Sequence, residues 1–485
     1  MQREPSFKPV NSRLTERTNL LPIVVGGGLA FIVVCAAAFA LFAFFWQPDV
    51  PDDQSQPTPA GAVVNYVTPT PTVQGAEPPT PLPPAPQDTP IPADPPPSEQ
   101  PSGGQPTHTP ATGEDPTPLP AEETPETPEP TPEPTPIPTP PPAGSAQASF
   151  AYGIQVDASA DPAEVMAHLN TLGIKWVKFQ MSWKDTEPQQ GIRNWGEWDR
   201  LIRTYHDGGF NILLSVVKSP DWARPAGTDL SQEGPPADPN TYAMFVGEMA
   251  KRYRGGVQAI EVWNEQNLAR EGGGAPMPPD QYVALLSQAF NAIKTADPAI
   301  IVVSGAPTPA GDVPGAAIDD ITYLNAMYAA GLKNVSDAIG VHPSGYNCPA
   351  TGDWQTITDP GAGFRGPFDN RHHSWCFRGT MEGYRDVMVA NGDSGKRLWP
   401  TEFGWAVSST PETGYEYAAD NTRQEQAQWI TEAYQQAKDW GWVGPMFLWN
   451  LNYGVTLPGS EQAAFSILGP DGPTPAYQAL AAAPK

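Results

Sequence analysis

From Ser149 to the C-terminus, short apolar runs alternate with longer amphipathic stretches, and the alternation repeats about eight times. "FAYGIQVD" is followed by a helical pattern near 161–172, "KWVKFQMSW" by one near 195–208, and "FNILLSVVKSP" by one near 239–253. "VQAIEVWNE" precedes 279–296, "AIIVVSGA" precedes 317–330, "DAIGVHPSGY" precedes 375–390 and "RLWPTEFGW" precedes 420–440; "VGPMFLWN" closes the series. A strand followed by a helix returns to the sheet as a parallel neighbour, because the helix must cross over before the next strand begins. About eight such units over about 335 residues predict an α/β fold, a (β/α)8 TIM barrel with insertions. The rival is an open doubly wound sheet, but no Gly-rich phosphate fingerprint follows the first strand.

The residues before the barrel read differently. Residues 1–19 are polar and carry Arg3, Lys8, Arg13 and Arg17, a cytoplasmic tail. Leu20 to Trp46 carries no charge. Its 27 residues would span about 40 Å as a helix, enough to cross a ~30 Å hydrocarbon core with tilt. A cleaved signal peptide would have a shorter apolar region and a small-residue cleavage site, whereas this one ends in "LFAFFWQPD". Basic residues before the segment and Asp49, Asp52 and Asp53 after it predict a single-pass transmembrane signal-anchor with its N-terminus inside. Phe44, Phe45 and Trp46 would form the outer aromatic belt.

Residues 47–148 are low in complexity and rich in Pro, "TPETPEPTPEPTPIPTPPP" being typical, with neither Lys nor Arg. Such a segment cannot bury enough apolar surface to offset ordering entropy, and is expected to be a disordered stalk between the membrane and a catalytic domain at 149–485. The chain carries 27 basic against 53 acidic residues, net −26, which excludes nucleic acid as a partner. An extracellular domain also predicts a disulfide between Cys348 and Cys376, which flank the long excursion after the sixth strand, with Cys35 of the anchor left unpaired.

Barrel enzymes carry their chemistry at the C-terminal ends of the strands. Polar and aromatic residues there are Gln180, Trp183, Lys218, Asn264, Glu265, Ser304, His342, Tyr346, Glu402, Trp449 and Asn450. They supply carboxylates, amides and aromatic rings but no metal set and no cofactor motif: there is no HExxH, and the Cys spacing is not that of a zinc site. By the two-residue period of a strand, Glu261, Trp263 and Glu265 should share one face, as should Leu398, Pro400 and Glu402. Glu265 and Glu402 would then meet across the barrel mouth. Two carboxylates across a cavity are what glycosidic cleavage needs, and Trp183, Trp405 and Trp449 would suit stacking on sugar rings. Trp195, Trp198 and Trp263 read as core. His372-His373 reads as a solvated loop, and "EGGGAPMPP" as a loop edging the cleft.

"VWNEQN" and "WPTEFGW" resemble the fourth and seventh strand ends of clan A glycoside hydrolases, notably families 39 and 5. The resemblance covers about 150–485 and implies a (β/α)8 barrel with Glu265 as acid/base and Glu402 as nucleophile of a retaining double displacement. It further implies that Asn264 contacts a sugar 2-hydroxyl, that His342 and Tyr346 orient the two carboxylates, and that Trp449 is a sugar platform. The chain departs from the pattern in three places. Asn-Glu-Pro is Asn-Glu-Gln here, Lys178 stands where a strand-two arginine often supports the nucleophile, and His342 and Tyr346 are four apart. The expectation is a membrane-anchored extracellular glycosidase acting on a β-linked poly- or oligosaccharide. The alternatives are a transglycosidase and a non-catalytic carbohydrate-binding or adhesion barrel.

Overall fold

The computed structural model describes residues 148–485. The tail, the anchor at 20–46 and the linker up to 147 lie outside the described residues. Among the described residues no helix is long and apolar enough to cross a membrane.

Eight parallel strands form the centre: β1 (Ala151–Gln155), β2 (Trp176–Ser182), β3 (Asn211–Val217), β4 (Ala259–Val262), β5 (Ile301–Ser304), β6 (Ile339–Val341), β7 (Leu398–Pro400) and β8 (Pro445–Leu448). Six of them make one sheet in the order β5-β4-β3-β2-β1-β8. β6 and β7 pair with each other, and single parallel bridges tie Val303 to Ala338 on one side and Leu398 to Val443 on the other. The ring therefore closes. The helices between strands are α1 (Pro162–Leu172), α2 (Gly196–Asp207), α3 (Pro239–Arg252), α4 (Pro279–Ala296), α5 (Asp320–Ala329), α6 (Phe377–Ala390) and α7 (Arg423–Trp440). After β8 the chain makes an excursion that includes the short antiparallel pair β9 (Leu468–Gly469) and β10 (Gly472–Pro473), and ends in α8 (Pro475–Ala482).

Local chemistry sets the helix limits. Asp161 caps the first turn of α1 through Ala163 N–H, Pro162 opens the helix, and Gly173 ends it at φ 67°. Asp238 and Pro239 start α3 in the same way. Thr422 and Glu425 form a reciprocal capping box on α7.

The barrel interior is built in rings. Trp176, Leu213, Ala259, Ile301, Ala338, Trp399 and Phe447 pack together as its lower ring. Two residues further along their strands come Lys178, Glu261 and Thr401, joined by polar contacts. Gln180 and Trp449 follow at the mouth. This register corrects the expected faces. Trp399 and Thr401 point inward, so Leu398 belongs to the outer core, and Glu402 reaches the mouth from irregular backbone beyond the end of β7. Trp263 does not share a face with Glu261. β4 ends at Val262, Trp263 turns with φ 72°, and its ring packs against Tyr242 of α3.

Cys348 and Cys376 are joined by a disulfide, with Cα atoms 5.4 Å apart, that closes a 28-residue excursion between β6 and α6. Both cysteines are fully buried, in a cluster with Tyr346, Trp375 and Tyr417. In the chain-entropy view, closing this loop stabilises by roughly 3–4 kcal/mol. Replacing both cysteines with serine is expected to lower the unfolding free energy by about that amount in equilibrium denaturation. A loss under about 1 kcal/mol would show that the excursion is ordered without the cross-link.

Candidate active site

A cleft opens at the C-terminal ends of the strands, and Gln180, Asn264, Glu265, His342, Glu402 and Trp449 are in its wall. Glu265 follows β4 on strained backbone. Trp263 and Glu265 have φ of 72° and 43°, in the left-handed region that side chains other than glycine rarely adopt. The turn is held by the Glu265 N–H, which donates to Ala306 O at 2.9 Å. Two further strand ends, at Lys218 and Tyr346, show the same positive φ.

Glu402 sits above the polar ring of the interior. Lys178, fully buried, donates to Glu402 Oε1 at 2.8 Å and lies 3.3 Å from Glu261 Oε2. Thr401 donates to Glu261 Oε1 at 2.6 Å. Burial pushes the Lys178 ammonium down, but Glu261 and Glu402 outweigh it, and its pKa is raised overall. Lys178 is thus a positive charge fixed between two carboxylates, one in the wall of the cleft and one beneath it. His342 joins the two strand ends: its Nδ1 lies 3.1 Å from Glu265 Oε1 and 3.9 Å from Glu402 Oε2. One oxygen of Glu265, one of Glu402 and a His342 ring nitrogen all fall within 4.8 Å of one another.

Arg270, in the loop after β4, was not expected in this wall. Its guanidinium pairs with Glu265 Oε2. Burial pushes the Glu265 carboxyl up, but Arg270, His342 and Thr308 together hold it well below the usual carboxylate range. A cation in contact outweighs the Glu402 carboxylate across the cleft. Two more carboxyls in the wall behave oppositely. Burial pushes Glu271 up to about 7 and Glu461 up to about 8, so Glu461 is mostly protonated at neutral pH. The three donor groups of Glu265, His342 and Glu402 could geometrically hold a metal ion. Lys178 and Arg270 already neutralise those carboxylates, which disfavours a second cation there.

Several expected wall residues lie elsewhere. Trp183 is fully buried between Trp222, Tyr242 and Phe245, with its indole N–H on Glu187. Trp405 is also fully buried. Its indole N–H donates to Cys348 O, and its ring lies so close against Gly345 that a Cβ there would clash. Neither can stack on a sugar. Tyr346 borders the cleft, but its hydroxyl donates to Pro309 O and its ring packs on Trp375 and Tyr417, so it does not reach either carboxylate by hydrogen bond. Lys218 pairs with Glu233, Ser304 accepts from Gly340 N–H, and Asn450 donates to Gln462 O, all outside the wall. His372 and His373 are not a simple solvated loop: they face Asp319 and Asp320. Arg270, Glu271 and Glu461 were missed because they come from single helical turns, Ala269–Gly272 and Glu461–Phe465, too short for a period to signal which side chains turn inward.

The chain is similar to a family 39 glycoside hydrolase from the gut symbiont Bacteroides cellulosilyticus, at 22% identity and a TM-score of 0.51 over 69% of this chain. The likeness spans 63% of that protein. The fold is that of the clan A (β/α)8 glycoside hydrolases. Other similar structures are a glucosidase from Croceicoccus marinus (16% identity, TM-score 0.46, 70% of this chain and 68% of that one) and a xylanase from Thermotoga petrophila in complex with xylobiose (13%, 0.44, 69% and 93%). No family model and no curated protein matches the chain.

Proposed function

We propose that this chain is a retaining glycoside hydrolase acting on a β-linked poly- or oligosaccharide. The observation that carries the reading is the meeting of Glu265 and Glu402 at the barrel mouth, with one oxygen of each within 4.8 Å of the other. Retaining enzymes need their two carboxyls about 5–5.5 Å apart, whereas an inverting pair must leave room for water at about 6.5–9.5 Å. The likeness to a family 39 glycoside hydrolase agrees with a sugar substrate.

In this reading Glu402 attacks the anomeric carbon, and Lys178 stabilises it as the anion. Glu265 protonates the departing oxygen, then acts as base for the water that releases the glycosyl group. Asn264 Oδ1 and His342 Nε2 are buried without a hydrogen-bond partner and would meet sugar hydroxyls, with Trp449 stacking on a ring face. Arg270 holds Glu265 ionised before substrate arrives, so the acid step requires the substrate to separate the pair and let burial raise the carboxyl. That ion pair also favours the second reading, a barrel that binds carbohydrate without cleaving it. Screening the chain on a glycan panel for reducing-end release distinguishes the two: binding without release supports the second.

Removing Arg270 gives a pH test. Arg270 depresses the Glu265 pKa, so Arg270→Met is expected to raise it and keep the acid protonated to higher pH. The basic limb of kcat/KM should therefore move alkaline. An unmoved limb would mean that Glu265 does not supply the proton.

The domain is further proposed to act outside the cell on a single-pass anchor. The charge-free segment at 20–46 with its basic flank supports this, as does the buried disulfide, which suits an oxidising compartment.

A further inference from the structure

Away from the carboxylate pair, the loop that enters α5 and the loop that enters α6 bring two histidines against two aspartates. His372 Nε2 lies 3.3 Å from Asp319 Oδ2, and His373 Nε2 lies 3.9 Å from the same oxygen. One donor atom from each of Asp319, His372 and His373 falls within 4.8 Å of the others. Asp319 Oδ2 is buried and carries no hydrogen bond, and neither does Oδ2 of Asp320, which is wholly buried. The other oxygen of Asp319 caps α5 through Thr322 N–H at 2.7 Å, which fixes the carboxylate plane.

The hydrogen-bond pattern sharpens the question. Ser374 Oγ donates to Asp320 Oδ1 at 2.6 Å, so its single proton is used there. His372 Nδ1 lies 3.0 Å from the same Oγ and also accepts from Ser374 N–H at 3.4 Å. His372 Nε2 faces Asp319 Oδ2 at 3.3 Å, and a metal ion binding there would take the place of the Nε2 proton between the two groups. In a tetrahedron with bonds of about 2.0–2.2 Å, zinc ligands lie about 3.3–3.5 Å apart. The Asp319–His372 pair already has that spacing, and His373, whose Nε2 now lies 3.0 Å from Asp320 Oδ1 and 3.9 Å from Asp319 Oδ2, would turn from the one carboxylate to the other.

We propose that Asp319, His372 and His373 form a binding site for a divalent cation of the zinc class. A set of two imidazoles and one carboxylate favours Zn2+ over Ca2+ or Mg2+, which prefer all-oxygen sites. The Nδ1 contact from His372 to Ser374 is the outer bond that orients a metal-binding imidazole. The side chain of His372 is 38% exposed, which leaves an entry path and an open fourth position. The ion would tie the segment of Thr308 and Ala310, which borders the cleft, to the excursion closed by the disulfide. Ser374 Oγ, within that excursion, already donates to Asp320 Oδ1 across the junction.

The test uses the full chain, stripped with chelator and titrated with ZnCl2 by calorimetry, with metal content measured after desalting. One zinc per chain is expected, with a raised Tm. His372→Gln and His373→Gln, which keep a neutral hydrogen-bonding side chain, should each weaken binding at least about 10-fold. Asp319→Asn keeps a competent helix cap and should fold, yet lose affinity similarly. Co2+ in place of zinc should show the visible absorption of a four-coordinate nitrogen and oxygen site. No retained zinc in the parent chain would overturn the proposal, and histidine–aspartate contacts alone would then account for the geometry. So would binding unchanged in all three variants, or binding lost in Glu402→Gln, which would place the ion between the cleft carboxylates instead.

Discussion

Glu402→Ala is expected to lower kcat by at least about 10^4-fold on any glycan the parent chain cleaves, because the proposed nucleophile is gone. The loss should be chemical rather than structural. Glu402 is partly exposed at the mouth, and its removal leaves Lys178 paired with Glu261 at 3.3 Å. Azide is small enough to enter the vacated space and attack from the same side, so it should restore turnover and give a glycosyl azide of inverted configuration. Glu265→Ala should behave differently. Substrates with good leaving groups need no proton and should keep their first step, while poor leaving groups should lose it. If both variants lose activity equally on both kinds of substrate, the division of roles is wrong.

Lys178→Met is expected to have the largest effect on stability, about 3–5 kcal/mol of destabilisation, read by denaturant unfolding. Lys178 and Glu261 are both wholly buried, and Lys178 is the cation that contacts the Glu261 carboxylate inside the barrel. Without it, the wholly buried Glu261 carboxylate would keep only the Thr401 hydroxyl as a hydrogen-bond donor, and Glu402 would lose its ammonium partner at the mouth. Lys178→Arg would test the alternative that any positive charge suffices, because a planar guanidinium is larger and offers its donors in a fixed fork. Glu261→Gln combined with Lys178→Met should recover part of the loss, since it removes the stranded charge. A Lys178→Met chain as stable as the parent would show that the interior carboxylate is already neutral.

The barrel was legible because its signal is repeated. Each strand run and each helix pattern is ambiguous alone, but eight in alternation leave little besides a closed parallel sheet. The observed helix limits at 162–172, 239–252 and 279–296 follow caps and prolines that are written locally, such as Asp161-Pro162 and Asp238-Pro239. Glu265, Asn264, His342 and Glu402 were legible for a related reason: strand ends in this topology converge, and a polar residue there has few other places to go.

What stayed hidden depends on geometry after the strand stops. Trp183 and Trp405 each lie beyond the strand core, where the two-residue period no longer applies, and both turned into the packing beneath the loops. Trp263 broke the same rule through its positive φ. Arg270 comes from the loop five residues after Glu265, and nothing in "NLAREGGG" shows that its side chain folds back to the carboxylate. Glu461 arrives from the excursion after β8, far along the chain from either catalytic candidate. Arg270 lowers the Glu265 carboxyl from outside the strand pattern, so the sequence showed the pair of carboxylates more clearly than their charges.

The most direct test of the central claim is to trap the intermediate. A slow glycoside with a 2-fluoro substituent and an activated leaving group, matched to the sugar found by the glycan panel, is incubated with the full chain, and the peptides are mapped by mass spectrometry. The account predicts one fluoroglycosyl adduct per chain on the peptide that carries Glu402, formed also in Glu265→Ala and absent from Glu402→Gln. An adduct on another residue, or hydrolysis of the parent substrate with no adduct and with inversion at the anomeric carbon, would contradict it.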